Sequence, residues 1–197
     1  IAEGADGALF NYLHASQRSV VVQRGGGLAA LHDLLAAADI AVWSHGPRPG
    51  ERPLLSPAEL AQAQPHLIIG AITPFGLDGP WNDKPATEFM LQAWAGGVLR
   101  IGRSRPERAP TYVAGQVGEW MAGLYAAIGT PAAWRAGSSG VVAVSMLEAL
   151  AATLTYYPVT FHDQLGRPMQ RDRFVPTPGV SAARDGMVGL GTGTGQQ

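Results

Sequence analysis

The feature that most constrains this chain is an alternation of short apolar runs with stretches of helical periodicity, joined by connections of only a few residues. Val20-Val21-Val22 is a β-branched run of the kind that forms buried strands, and Gly25-Gly26-Gly27 then leads into apolar positions at helical spacing from Leu28 to Ala38. Ile40-Ala41-Val42-Trp43 is a second strand pattern, closed by Gly46-Pro47-Arg48-Pro49-Gly50. Ser56 then opens a helix with a full set of start signals. It is a serine N-cap, Pro57 occupies the first helical position, and Glu59 completes a capping box. Leu67-Ile68-Ile69 is a third strand pattern. Strand, helix, strand, helix, strand at this spacing predicts an α/β fold, a Rossmann-like open parallel sheet with helices on both faces.

The pattern continues downstream. A helix is predicted from Glu88 to Ala95 and a longer one from about Gly118 to Ala136, ended by Gly137-Ser138-Ser139-Gly140. Val141 to Val144 reads as a fourth strand, and Ser145 with Glu148 reads as a second capping box, opening a helix through about Tyr156. Pro158 to Arg184 reads as an irregular connector, and Val188-Gly189-Leu190 as a short final strand. This divides the chain into a Rossmann-like unit, residues 1–157, and a connecting segment, residues 158–197.

Composition removes several functional classes. Apolar residues make up 46% and charged residues 15%, which suits a packed core and not a disordered chain. A formal net charge of −1 supplies no field to draw nucleic acid or an anionic membrane. With no cysteine, disulfides, thiolate nucleophiles and Cys-ligated zinc are excluded. His14, His32, His45, His66 and His162 show no metal-binding spacing, so no metal is expected. No apolar run approaches the roughly 18 residues of a membrane span, and a cytoplasmic location is the expectation. Gly25-Gly26-Gly27 lacks the spacing of a phosphate-binding loop, and a turn is the simpler reading.

Six motifs in order resemble those of the family III coenzyme A transferases, the CaiB/BaiF type. Arg18-Ser19-Val20 is similar to the step into the second strand of that fold. Phe75-Gly76-Leu77-Asp78-Gly79-Pro80 resembles the family's Gly-Phe-Gly-x-x-Gly-Pro turn, with Pro74 where the first glycine is usual. Glu88 to Ala93 followed by Gly96-Gly97 resembles the helix that carries an acid four positions before Gln-Ala. Gly118-Glu119-Trp120-Met121-Ala122-Gly123 resembles the stretch that bears the catalytic acid, Val144-Ser145-Met146-Leu147-Glu148-Ala149 the Val-Ser-x-x-Glu-Ala step, and Asp185-Gly186 with Val188 to Thr192 a late turn and strand. The resemblance spans most of the chain. It implies a fold incomplete at both ends, with the first strand of the family expected before Ile1 and a small second domain after Gln197.

The resemblance also implies a chemistry. Family members use an aspartate carboxylate that attacks an acyl-CoA thioester, and ungapped matching places Glu119 at that position, one methylene longer. Glu88 matches an active-site acid of some relatives. Thr87 stands where the family's racemases carry a histidine, and a threonine hydroxyl is no base near neutral pH, so transferase is expected over racemase. In parallel sheets ligands gather beyond the carboxyl ends of the strands. Gln23, Arg24, Ser44, His45, Arg48 and Arg52 lie there and are the candidate coenzyme A contacts, the guanidinium groups being suited to phosphates. The family often has Asn-Phe at the place of Ser44-His45 and an arginine at that of Gly46, a loss that Arg48 is placed to offset. The expected partners are an acyl-CoA, a small carboxylic acid and, by resemblance, a second copy in an interlinked homodimer. The competing expectation is a non-catalytic coenzyme A-binding half of a tandem protein, favoured by the exchange of aspartate for glutamate.

Overall fold

The computed structural model describes residues 7–22, 27–44, 54–99, 109, 111–155, 160, 163–166 and 180–189. Helix α1 (Ala8–Leu13) is followed by α2 (Leu28–Ala36), strand β1 (Ile40–Ser44), α3 (Pro57–Ala63), β2 (Ile68–Thr73), α4 (Glu88–Trp94), α5 (Val117–Arg135), β3 (Gly140–Ser145) and α6 (Met146–Leu150). Strands β1, β2 and β3 form a parallel sheet in that order, with Ala41 opposite Ile69 and Ile69 opposite Val141. A separate antiparallel pair joins β4 (Val180–Ala182) to β5 (Met187–Gly189).

Side-chain alternation decides which helix covers which face. On β2, Ile69 packs with Leu60 and Leu67, and the partly buried Leu35, Ala41 and Trp43 close around them, so α2 and α3 lie on that face. Trp43 Nε1 donates to the Leu55 carbonyl at 2.9 Å, which ties β1 to the segment before α3, and Gln64 Nε2 donates to the His32 carbonyl at 3.2 Å, which ties the end of α3 to α2. The alternate positions Gly70 and Ile72 face α5. Ile72 packs against Ala122, Ala126, Val144 and Ala149. At Gly70 a β-carbon would come within 2.7 Å of Thr130 Cγ2, so α5 approaches the sheet too closely for any larger residue. Helices thus cover both faces of the parallel sheet, as the alternation of patterns predicts.

The start of α3 follows the sequence reading closely. Ser56 accepts from the Glu59 backbone N–H, the Glu59 carboxylate accepts from the Ser56 N–H, and Pro57 stands at the first position. Other readings need correction. Val20 to Val22 forms no strand, and Val21 is 86% exposed, because β-branched side chains make a strand only where a partner ladder and a packing surface meet them. The second capping box is half present: Ser145 accepts from the Glu148 N–H, but Glu148 itself is exposed. The helix it opens is regular only to Leu150 and widens into a π turn over Ala151–Thr155, where Thr153 Oγ1 bonds back to the Ala149 carbonyl at 2.7 Å. The expected connector contains strand β4, which pairs with the final strand around a turn closed by Ala183 N–H and the Gly186 carbonyl.

Helix α5 runs antiparallel to the strands. Its C-terminal end leads through a turn to Gly140, which pairs with Ile68 at the sheet's entry edge. Its first turn therefore reaches the opposite edge, where β2 ends at Thr73 and β3 at Ser145. Helix α4 is brought to the same end by Leu91 and Ala95, which pack with Leu150, Phe75, Val117 and Met146.

Candidate active site

The carboxyl edge of the sheet collects Ser44, Thr73 and Ser145, in register across the three strands or one step apart. Ser44 is exposed there. Thr73 is buried, and its hydroxyl finds no hydrogen-bond partner among the described residues. Gln23, Arg24, His45, Arg48 and Arg52, the other candidate coenzyme A contacts, lie outside the described residues.

Beyond this edge the N-terminal turns of α4 and α5 meet. Thr87 caps α4, its hydroxyl accepting from the Met90 N–H at 3.3 Å, so this side chain is engaged in holding the helix start. Glu88 follows as the first helical residue. Its Oε1 accepts from Gln92 Nε2 and from the Gly118 backbone N–H, each at 2.7 Å. Gly118 lies in the first turn of α5, where backbone N–H groups have no partner within the helix, so the carboxylate of one helix satisfies the start of the next. Glu88 Oε2 is buried and has no hydrogen-bond partner among the described residues.

Gln92 is 0% exposed and stands one helical turn after Glu88. Besides Glu88, its Nε2 donates to the Val113 carbonyl at 2.8 Å, and its Oε1 accepts from the Val113 N–H at 2.9 Å. A side-chain amide thus pairs with a backbone amide in the segment that leads into α5. Three residues on, Gln116 turns the chain with φ +60° before the helix begins. A β-carbon on Gly118 would fall 2.8 Å from Glu88 Oε2 and 3.0 Å from Leu150 Cδ1, so only glycine admits the carboxylate here.

Glu119 is the next residue, in the first turn of α5 and substantially exposed to solvent. Partial desolvation, and secondarily the negative charge of Glu88, raise its carboxyl above the usual glutamate range. The two candidate acids therefore stand close enough to sense one another. The structure separates them by environment: Glu88 is anchored by two donors, and Glu119 is left accessible.

Sequence matching to the CoA-transferase family III extends over residues 2–197. The chain belongs to CoA-transferase family III. Among curated relatives of that family it is similar to succinyl-CoA:(R)-benzylsuccinate CoA-transferase subunit BbsE of Thauera aromatica, at 30% identity over 147 residues, covering 73% of this chain and 36% of the relative. It is also similar to acetyl-CoA:oxalate CoA-transferase of Acetobacter aceti, at 26% identity over 160 residues, covering 78% of this chain and 41% of the relative. The chain thus spans about two fifths of the curated relatives it matches. A solved CAIB/BAIF family protein from Brucella suis superposes with a TM-score of 0.68 at 20% identity, covering 87% of this chain and 47% of the other, and this likeness concerns the fold.

For a family III chain, Gln92 is the residue whose part the sequence left unread. It stands in a motif, and its spacing of four from Glu88 was visible, but spacing says nothing of the Val113 backbone 21 residues away. The role of Gly118 in admitting Glu88 had no sequence signal. Nor did the aromatic group of Phe75, Trp81 and Trp94, whose rings lie 4.5 to 5.9 Å apart with Lys84 Nζ 5.1 Å from the Trp81 ring. No helix among the described residues is long and apolar enough to cross a membrane.

Proposed function

We propose that this family III protein moves coenzyme A between carboxylic acids, with Glu119 as the nucleophile. The observation that carries the reading is the placement of an accessible carboxylate at a helix start beside the carboxyl edge of a parallel sheet, with a second carboxylate fixed next to it. The Glu119 carboxylate attacks the thioester carbonyl and coenzyme A leaves as thiolate, which gives a mixed anhydride. The thiolate then attacks the glutamyl carbonyl of that anhydride and releases the first acid. The product is a glutamyl-CoA thioester. The acceptor carboxylate displaces the thiolate from it, and the thiolate attacks the acceptor's carbonyl in the new anhydride. New acyl-CoA departs and Glu119 is regenerated. Each difficult exchange is thereby divided into additions at activated carbonyls.

The environment of Glu119 suits this cycle. The helix start favours its anionic form, while desolvation and Glu88 act the other way and make the carboxylate a better base and a better nucleophile than one in open water. Ser44, with Gln23, Arg24, His45, Arg48 and Arg52, supplies the coenzyme A contacts in this reading, on the grounds of the place of Ser44 at the carboxyl end of β1 and of the guanidinium fit to phosphate. The acceptor is a small carboxylic acid, and the working unit is a homodimer. No metal takes part.

Trapping tests the reading directly. Hydroxylamine or borohydride added during turnover of the intact protein marks Glu119, and peptide mass spectrometry locates the mark. Intact turnover with Glu119 unmodified overturns it. The second reading, a coenzyme A-binding half without catalysis, is favoured by the glutamate at position 119. Titration with coenzyme A that shows binding, in a protein with no exchange between acids, selects it.

A further inference from the structure

The amide of Gln92 is buried completely and makes three hydrogen bonds, to Glu88 Oε1 and to both backbone groups of Val113. A buried polar side chain in the first turns of a short helix is costly unless its partners are fixed. Here the partners are the two pieces of chain that determine where α5 starts. Val113 heads the turn that ends at Gln116, and Glu88 grips the Gly118 N–H at 2.7 Å. Glu119 projects from the very next residue, so the placement of its carboxylate follows that of the first turn of α5.

The buried stripe of Gly118, Ala122, Ala126 and Thr130 seats the body of α5 on the sheet. Around its first turn, Val117 packs on the cluster of Leu91 and Leu150, and the polar contacts hold the segment that leads into the helix. Gly118 offers no side chain, and a β-carbon there would collide with Glu88. Orientation of the helix start thus runs from Gln92 through Glu88 to the Gly118 N–H on one side, and from Gln92 to Val113 on the other.

We infer that Gln92 is the positioning residue of this site: its amide joins the Val113 backbone to the Glu88 carboxylate and so fixes the first turn of α5, from which Glu119 reaches the thioester. This rests on the proposal that Glu119 is the nucleophile. Gln92 touches no substrate and acts wholly through Glu88 and Val113.

Two variants of the intact protein test it, with succinyl-CoA and acetyl-CoA as donors. Gln92→Met keeps the volume and removes all three bonds. Gly118→Ala leaves the Gln92–Val113 pair and displaces the Glu88 carboxylate. Misplacement of a reacting group by about 1 Å costs on the order of 100-fold in rate, so kcat per folded molecule falls by about that factor in both variants while KM for the donor stays unchanged. Hydroxylamine labelling of Glu119 slows in step. Hydrogen exchange gives a readout that needs no turnover: the Val113 and Gly118 amides lose protection in Gln92→Met, whereas Val113 keeps it in Gly118→Ala. Undiminished labelling of Glu119 in folded Gln92→Met, or unchanged protection of Gly118 in that variant, overturns the inference. Wild-type protein that turns over without label at Glu119 sinks the catalytic reading instead, and the two failures are distinguishable.

Discussion

Truncation of Glu88 is the sharpest test of how the two helix starts are joined. Its Oε1 accepts two hydrogen bonds of 2.7 Å, one from a fully buried amide and one from a backbone N–H with no partner in its own helix. Hydrogen bonds to charged groups contribute about 1.5–3 kcal/mol each, and a buried donor left without an acceptor costs about 1–3 kcal/mol. Gln92 retains the Val113 carbonyl after truncation, so the main penalty falls on Gly118. Removal of the Glu88 charge also relieves its repulsion of Glu119. The balance for Glu88→Ala is a loss of about 3 kcal/mol. Glu88→Gln keeps an acceptor oxygen in the Oε1 position at neutral strength and loses about 1 kcal/mol. A gap of about 2 kcal/mol is roughly a 30-fold difference in the unfolding constant. Urea unfolding of the intact protein reads it as a shift in midpoint at constant slope. If alanine and glutamine cost the same, or alanine costs less than about 0.5 kcal/mol as an ordinary surface change would, then water replaces the carboxylate and the joint between α4 and α5 is not dry. The coupling argued for Gln92 then loses its basis.

Three further outcomes are expected. Glu119→Asp withdraws the carboxylate by about one C–C bond, close to 1.5 Å, and lowers kcat by about 100-fold with little change in KM; a rise in kcat shows a site built for the shorter acid. Glu119→Gln stabilises the fold at neutral pH. Because the Glu119 carboxyl is raised in the folded state, the native protein holds more protons than the unfolded chain across that window, so wild-type stability declines as pH rises through it. The advantage of the variant therefore appears above that window and closes as pH falls below the ordinary glutamate value of about 4.3, and unfolding midpoints measured across pH check the sign. Gly70→Ala places a β-carbon 2.7 Å from Thr130 Cγ2 and destabilises by about 1–3 kcal/mol through overpacking of β2 against α5. Thr130→Ser removes that methyl, and the double variant recovers most of the loss in a thermodynamic cycle.

Sequence alone determined the parts of this protein whose cause is local. The α3 start needs only Ser56, Pro57 and Glu59, residues within one turn of each other, and it forms as read. The strands at Ile40, Ile68 and Gly140 were legible as short apolar runs, the central one buried on both faces, and their parallel order follows from the helices between them. The six motifs likewise carried the family. Where the cause lies far along the chain, the sequence was silent or misleading. Val20 to Val22 has the composition of a strand and pairs with no strand among the described residues, since pairing is decided by what lies alongside. The bond from Gln92 to Val113 spans 21 residues and that from Glu88 to Gly118 spans 30, and no periodicity encodes either. Only the folded chain decides that one acid is gripped by backbone and the other left open, because burial and hydrogen-bond donors belong to the assembled edge of the sheet and not to the residue.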